Sequence, residues 1–103
     1  MVLVAPSEVS CTVNNRRFTL PVRMDPKHKG NIEHVKLYLS DDRGRTWRLL
    51  ATRPSDCDEF LISFERDGVY WFAAKVVDKN KVESPIGIGK EGARVMKVRA
   101  DRE

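Results

Sequence analysis

The chain reads as all-β, a seven-stranded antiparallel β-sandwich, and three observations lead there. Apolar and polar residues alternate through Val35-Lys36-Leu37-Tyr38-Leu39-Ser40 and through Phe18-Thr19-Leu20-Pro21-Val22, and Tyr70, Phe72, Ala74 and Val76 make one face of a further strand apolar or aromatic. That period of two buries one face of a strand and wets the other. Turn signals separate such runs at the intervals of a sandwich, and no segment sustains a helical period. At 103 residues the chain makes one domain with one core, spanning about residues 8–100.

The first strand is expected over Glu8 to Val13, ended by Asn14-Asn15. Arg16 to Arg23 follows, with Phe18, Leu20 and Val22 inward; Pro21 cannot donate to a ladder and so marks an edge or a bulge. Asp25 to Asn31 is a polar loop. Glu33 to Ser40 and Thr46 to Ala51 make the third and fourth strands, joined at an Asp42-Arg43-Gly44 corner where glycine supplies positive φ at low cost. Arg53 to Asp58 is a second loop. Glu59 to Phe64 is the fifth strand, with Phe60, Ile62 and Phe64 on one face. After the Glu65-Arg66-Asp67-Gly68 turn comes the sixth and strongest, Val69 to Val77, whose face Tyr70, Phe72, Ala74, Val76 suits a central position. Lys79 to Gly92 reads as a long loop and Ala93 to Ala100 as the last strand.

Two resemblances attach to these residues. The run Gly68-Val69-Tyr70-Trp71-Phe72-Ala73-Ala74-Lys75-Val76-Val77 with Ser84-Pro85 beyond it resembles the sixth strand and following loop of fibronectin type III and related immunoglobulin-like domains. The resemblance implies a corner tyrosine at Tyr70, its hydroxyl bonded to backbone near Phe64 or Glu65. It also implies that strands three, four, six and seven share a sheet, with three beside six. The tryptophan familiar in the second strand is missing, and Phe18 stands near its place. Separately, Ser40-x-Asp42-x-Gly44-x-Thr46-Trp47 is similar to the Asp-box hairpin of sialidase-type propellers. That motif is a turn staple and implies no catalysis; a single copy excludes a propeller.

Cys11 and Cys57 could form one disulfide. The immunoglobulin-type bridge joins the second and sixth strands, however, so buried or semi-buried thiols are expected instead. No C-x-x-C pair supports zinc or thioredoxin-like chemistry. Gly87-Ile88-Gly89-Lys90-Glu91-Gly92 spells G-x-G-x-x-G, but the strand-like Ala93-Arg94-Val95 follows it where a dinucleotide site needs a helix N-terminus. His28 and His34 lack the spacing of metal ligands, and Asp56, Asp58 and Glu59 read as a solvated strand entry. No nucleophile sits in a recognisable elbow. The expectation is a non-enzyme with no cofactor and no metal.

The 19 Lys and Arg exceed the 15 Asp and Glu by four, and the two signs are mixed, unlike the clustered charge of a dedicated nucleic-acid binder. Apolar residues are too scattered for a membrane span. The opening Met1-Val2-Leu3-Val4-Ala5-Pro6 is too short for a signal peptide's apolar region and lacks its basic start, which leaves either a cytoplasmic protein or, as the favoured expectation, a domain cut from a longer, extracytoplasmic one. Two surfaces are candidates for a protein partner or neighbouring domain. One is the sheet face bearing Tyr38 and Trp71 with Lys36 and Lys75; the other is the loop end bearing Lys27, His28, Lys29, Lys79, Lys81 and Lys90. The function expected is protein–protein contact or domain spacing. The alternative is a carbohydrate-binding module using the Tyr38 and Trp71 rings.

Overall fold

The computed structural model describes residues 8–13, 17–23, 30–56, 58–64, 66–88 and 94–100. Eight strands run through them: β1 (Glu8–Val13), β2 (Arg17–Arg23), β3 (Ile32–Ser40), β4 (Arg48–Pro54), β5 (Glu59–Ser63), β6 (Gly68–Asp78), β7 (Glu83–Ile88) and β8 (Val95–Ala100). Seven of them, β2 to β8, pair antiparallel. β1 departs from the expected antiparallel arrangement and lies parallel to β8, with Glu8 opposite Val95 and Val13 opposite Ala100.

β6 organises the rest. β3 covers one side of it from Trp71 to Asp78, as the resemblance implied. The other side is shared: β8 takes Gly68–Phe72 and β7 takes Ala74–Val77. β7 then crosses to β2 through Val22 opposite Ile88, and β2 pairs with β5. The network is therefore continuous, β1-β8-β6-β7-β2-β5 with β3 and β4 branching from β6. It curls into a half-barrel whose opposing walls are joined through β7.

β7 corrects the sequence reading, which left Lys79 to Gly92 as one loop. Proline and glycine marked a turn there, yet Pro85 lies opposite Lys75 where β7 has β6 as its neighbour and has not yet reached β2. A proline without an N–H is tolerated when one side of a strand is unpaired. Pro21 obeys the same rule: β5 flanks it, and β7 joins β2 only from Val22. β4 also runs later than expected, to Pro54, and a bulge opposite Leu37/Tyr38 offsets its register. Any Cys11–Cys57 pairing involves Cys57, which lies outside the described residues.

The inward alternations build one core. Val35, Leu37 and Leu39 of β3, Phe60 and Ile62 of β5, Phe72, Ala74 and Val76 of β6, and Met96, Val98 and Ala100 of β8 are all buried, with Leu20 and Ile88 between them. Phe18 and Val22 of β2 pack partly buried against this cluster. Phe64, just past β5, ties the two walls together. Its ring stacks on Phe18 at 5.5 Å, tilts over Tyr70 at 4.6 Å and meets Phe72 at 6.3 Å. The Tyr70 hydroxyl donates to the Arg66 carbonyl at 2.7 Å, one residue beyond the Phe64–Glu65 backbone expected for it.

The split between faces predicts opposite outcomes for two leucines. Leu37→Ala, at 0% exposure, is expected to lower unfolding free energy by about 2–5 kcal/mol in urea titrations. Leu61→Ala, at 69% exposure on the outer face of β5, should change it by less than about 0.5 kcal/mol.

Candidate functional site

The β3–β4 connection is fixed by the side chains its sequence supplies. Asp42 accepts at Oδ1 from the Ser40 hydroxyl at 2.7 Å and from the Thr46 N–H at 2.9 Å, while Oδ2 accepts from the Thr46 hydroxyl at 2.5 Å. The Gly44 N–H donates to Ser40 Oγ at 2.8 Å. These bonds hold Arg43 and Gly44 at φ of 62° and 86°. Above all the Thr46 hydroxyl, then the Thr46 N–H and the Ser40 hydroxyl, favour the ionised carboxylate and hold Asp42 down to about 2 from its ordinary 3.8. The turn is a staple, and it aims Gly44 at the sheet.

Gly44 lies against Trp71. A Cβ built on it would stand 2.8 Å from Cζ3 and 2.9 Å from Cε3 of the indole, with the Trp47 ring 3.9 Å away. On β8, Lys97 stands opposite Trp71 and places its ammonium 4.4 Å from the ring centroid. Trp71 is therefore half-buried between the turn and a lysine.

Tyr38 faces outward two residues along β3. Lys75 lies 5.5 Å over its ring, and its hydroxyl reaches Glu83 on β7 at 3.5 Å. Lys36 stands opposite Lys75 and pairs with Glu83 at 3.6 Å. The four residues Lys36, Tyr38, Trp71 and Lys75 thus share the outer face of β3 and β6, as the alternation implied, and each ring already has a lysine beside it.

The loop end is different. Lys27, His28, Lys29 and Lys90 lie outside the described residues. Lys79 and Lys81 occupy the β6–β7 turn, where Asp78 Oδ1 accepts from the Asn80 and Val82 N–H groups. The Lys81 ammonium donates to Glu33 at 2.6 Å, which holds that carboxyl below the usual range. Lys79 fastens the turn through its backbone N–H to the Asn31 carbonyl.

Two features had no signal in the sequence. A cleft of about 480 Å³ opens between β4 and β5, with Arg48 and Leu50 on one lip, Ile62 and Ser63 on the other, and Phe64 and Phe72 in its floor. Both lips are sheet edges: among the described residues β4 pairs only with β3, and β5 only with β2. Apolar side chains collect beside them in water, Trp47, Leu49 and Leu50 near β4 and Leu61 on β5. The second feature is a shallow concavity beside Trp71.

No family model matches the chain, and neither a curated protein nor a solved structure matches it. The functional reading therefore rests on its own geometry. Among the described residues no three His, Cys, Asp or Glu side chains gather as a metal site would require, and no helix is long and apolar enough to cross a membrane.

Two outcomes test the staple. Gly44→Ala is expected to cost about 1–3 kcal/mol in urea unfolding, from a Cβ at left-handed φ pressed on the indole. Because the Asp42 carboxyl titrates lower in the folded chain, its contribution is full above pH 4 and fades as pH falls toward 2. Stability measured from pH 5 to 2 should decline less steeply in Asp42→Asn, which lacks that proton linkage.

Proposed function

We propose that this chain is a non-catalytic interaction module of the fibronectin type III or immunoglobulin-like kind, and that it receives an extended segment of a partner protein at the free edges of β4 and β5. The family reading is supported by a β4-β3-β6-β8 order, a β2–β5 pair on the opposing wall and a tyrosine hydroxyl bonded to the backbone four residues upstream. The observation that carries the function is the pair of facing edges. An unpaired edge offers a row of N–H and C=O groups to any added strand, and natural sheets blunt such edges with charge, proline or bulges. Here Arg48, Arg53 and Pro54 blunt the ends of β4, and the bulge offsets its middle. Leu49 and Leu50 are nevertheless left 50% and 43% exposed beside the cleft. Main-chain pairing with β4 supplies affinity in strand addition, and pockets for alternate side chains supply selectivity.

A sugar platform on Tyr38 and Trp71 draws less support. A pyranose would have to stack where Lys75 and Lys97 already stand, and Trp71 is also backed by the Gly44 turn.

The test is a selection of displayed peptides on the immobilised domain, followed by hydrogen exchange on the best binder. Peptides with alternating apolar residues should be enriched, should slow amide exchange along β4, and should bind at least about tenfold more weakly to Leu50→Lys. Binding that ignores Leu50→Lys, or protection confined to the Tyr38 face, would overturn the proposal.

A further inference from the structure

The concavity beside Trp71 has a chemistry of its own. It measures about 470 Å³ and is lined by Thr12 of β1, Arg43 of the stapled turn, Val69 and Trp71 of β6, and Lys97 and Arg99 of β8. Register explains the gathering. Thr12 stands opposite Arg99, Arg99 opposite Val69, and Lys97 opposite Trp71, so outward residues of three adjoining strands share one surface. Arg43 joins them from a turn held at left-handed φ by the Asp42 bonds. Three cations therefore converge on a floor of valine and indole, and no carboxylate belongs to the lining.

The surroundings of the two guanidinium groups leave their charge standing. Among the described residues no carboxylate pairs with Arg43 or Arg99, and both side chains are exposed. Among the described residues, Asp42 of the same turn has both carboxylate oxygens taken up by Ser40 and Thr46, and beyond Tyr38 Glu83 is engaged by Lys36 and Glu33 by Lys81. Cations without an acid in the lining thus gather at one end of the sheet face, while at the other end acids stand among the lysines.

We infer that this concavity binds a short acidic peptide segment, with its carboxylates on Arg43 and Arg99 and an adjoining apolar side chain on Val69 and Trp71. Guanidinium groups match carboxylates in planar, two-pronged fashion. The exposed Val69, at 38%, gives the segment an apolar anchor. A nucleic-acid strand is the poorer fit, because a phosphate backbone is followed by a continuing track of cations. Here only three cations line the concavity, and the lysines next along the face, Lys75 and Lys36, are engaged by the Tyr38 ring and Glu83. The site lies apart from the β4–β5 cleft and does not depend on it.

The experiment is a fluorescence titration of the full chain carrying Trp47→Phe, which leaves Trp71 as the single tryptophan, with a Glu-rich peptide containing one leucine. Trp71 emission should shift to saturation, and affinity should fall steeply with added sodium chloride. Arg99→Glu and Arg43→Glu should each weaken binding about tenfold or more without altering the thermal melt, and Leu50→Lys should leave binding unchanged. Arg99→Glu stands alone as the deciding variant if the turn does not accept Arg43→Glu. Salt-independent binding, indifference to Arg99→Glu, or tighter binding of an oligothymidylate or a heparin fragment than of the peptide would overturn the inference.

Discussion

Everything in this fold hangs on β6 being paired along both flanks. A strand with neighbours on each side has its backbone groups satisfied, and its side chains alone decide what the two faces become. Phe72 and Trp71, consecutive in sequence, show the division. Phe72 points into the aromatic cluster that joins the two walls of the half-barrel, while Trp71 points out to be covered by the Gly44 turn and Lys97. Because one flank of β6 is divided between β8 and β7, the sheet has two continuations. One leads to β1 and the other bends through β2 to β5. The curl follows from that division.

The same division leaves the sheet unclosed. Among the described residues β4 and β5 end the two walls with no further partner, and Leu50 stands exposed at the cleft between them. On the outer face, by contrast, each aromatic ring is matched with an ammonium group and the acids are matched with lysines. The surface is therefore sorted by chemistry. A gap of mixed polar and apolar lining lies between two sheet edges, and a cationic hollow lies beside the stapled turn.

What the sequence made legible was whatever depends on neighbours close along the chain. The inward sets Val35, Leu37, Leu39 and Phe60, Ile62, Phe64 could be read directly, because period-two alternation is a local property. The Ser40–Thr46 staple could be read for the same reason. β7 was hidden since Pro85 and Gly87 signal a turn, and a strand paired on one side escapes that rule. The parallel seating of β1 and the freedom of the β4 and β5 edges are matters of partner choice, which residue patterns do not encode. The Arg43–Lys97–Arg99 hollow was hidden most completely. Arg43 lies more than fifty positions from the other two in sequence, and only the β6–β8 register and the turn geometry bring them together.

The parallel pairing of β1 with β8 carries a mechanical consequence. Glu8 opens one strand of that pair and Ala100 closes the other. Tension applied through those two residues pulls the strands along their length in opposite directions. The ladder is then loaded in shear, with its hydrogen bonds sharing the force together. An antiparallel seating of β1 would let those bonds break in succession, like a zip.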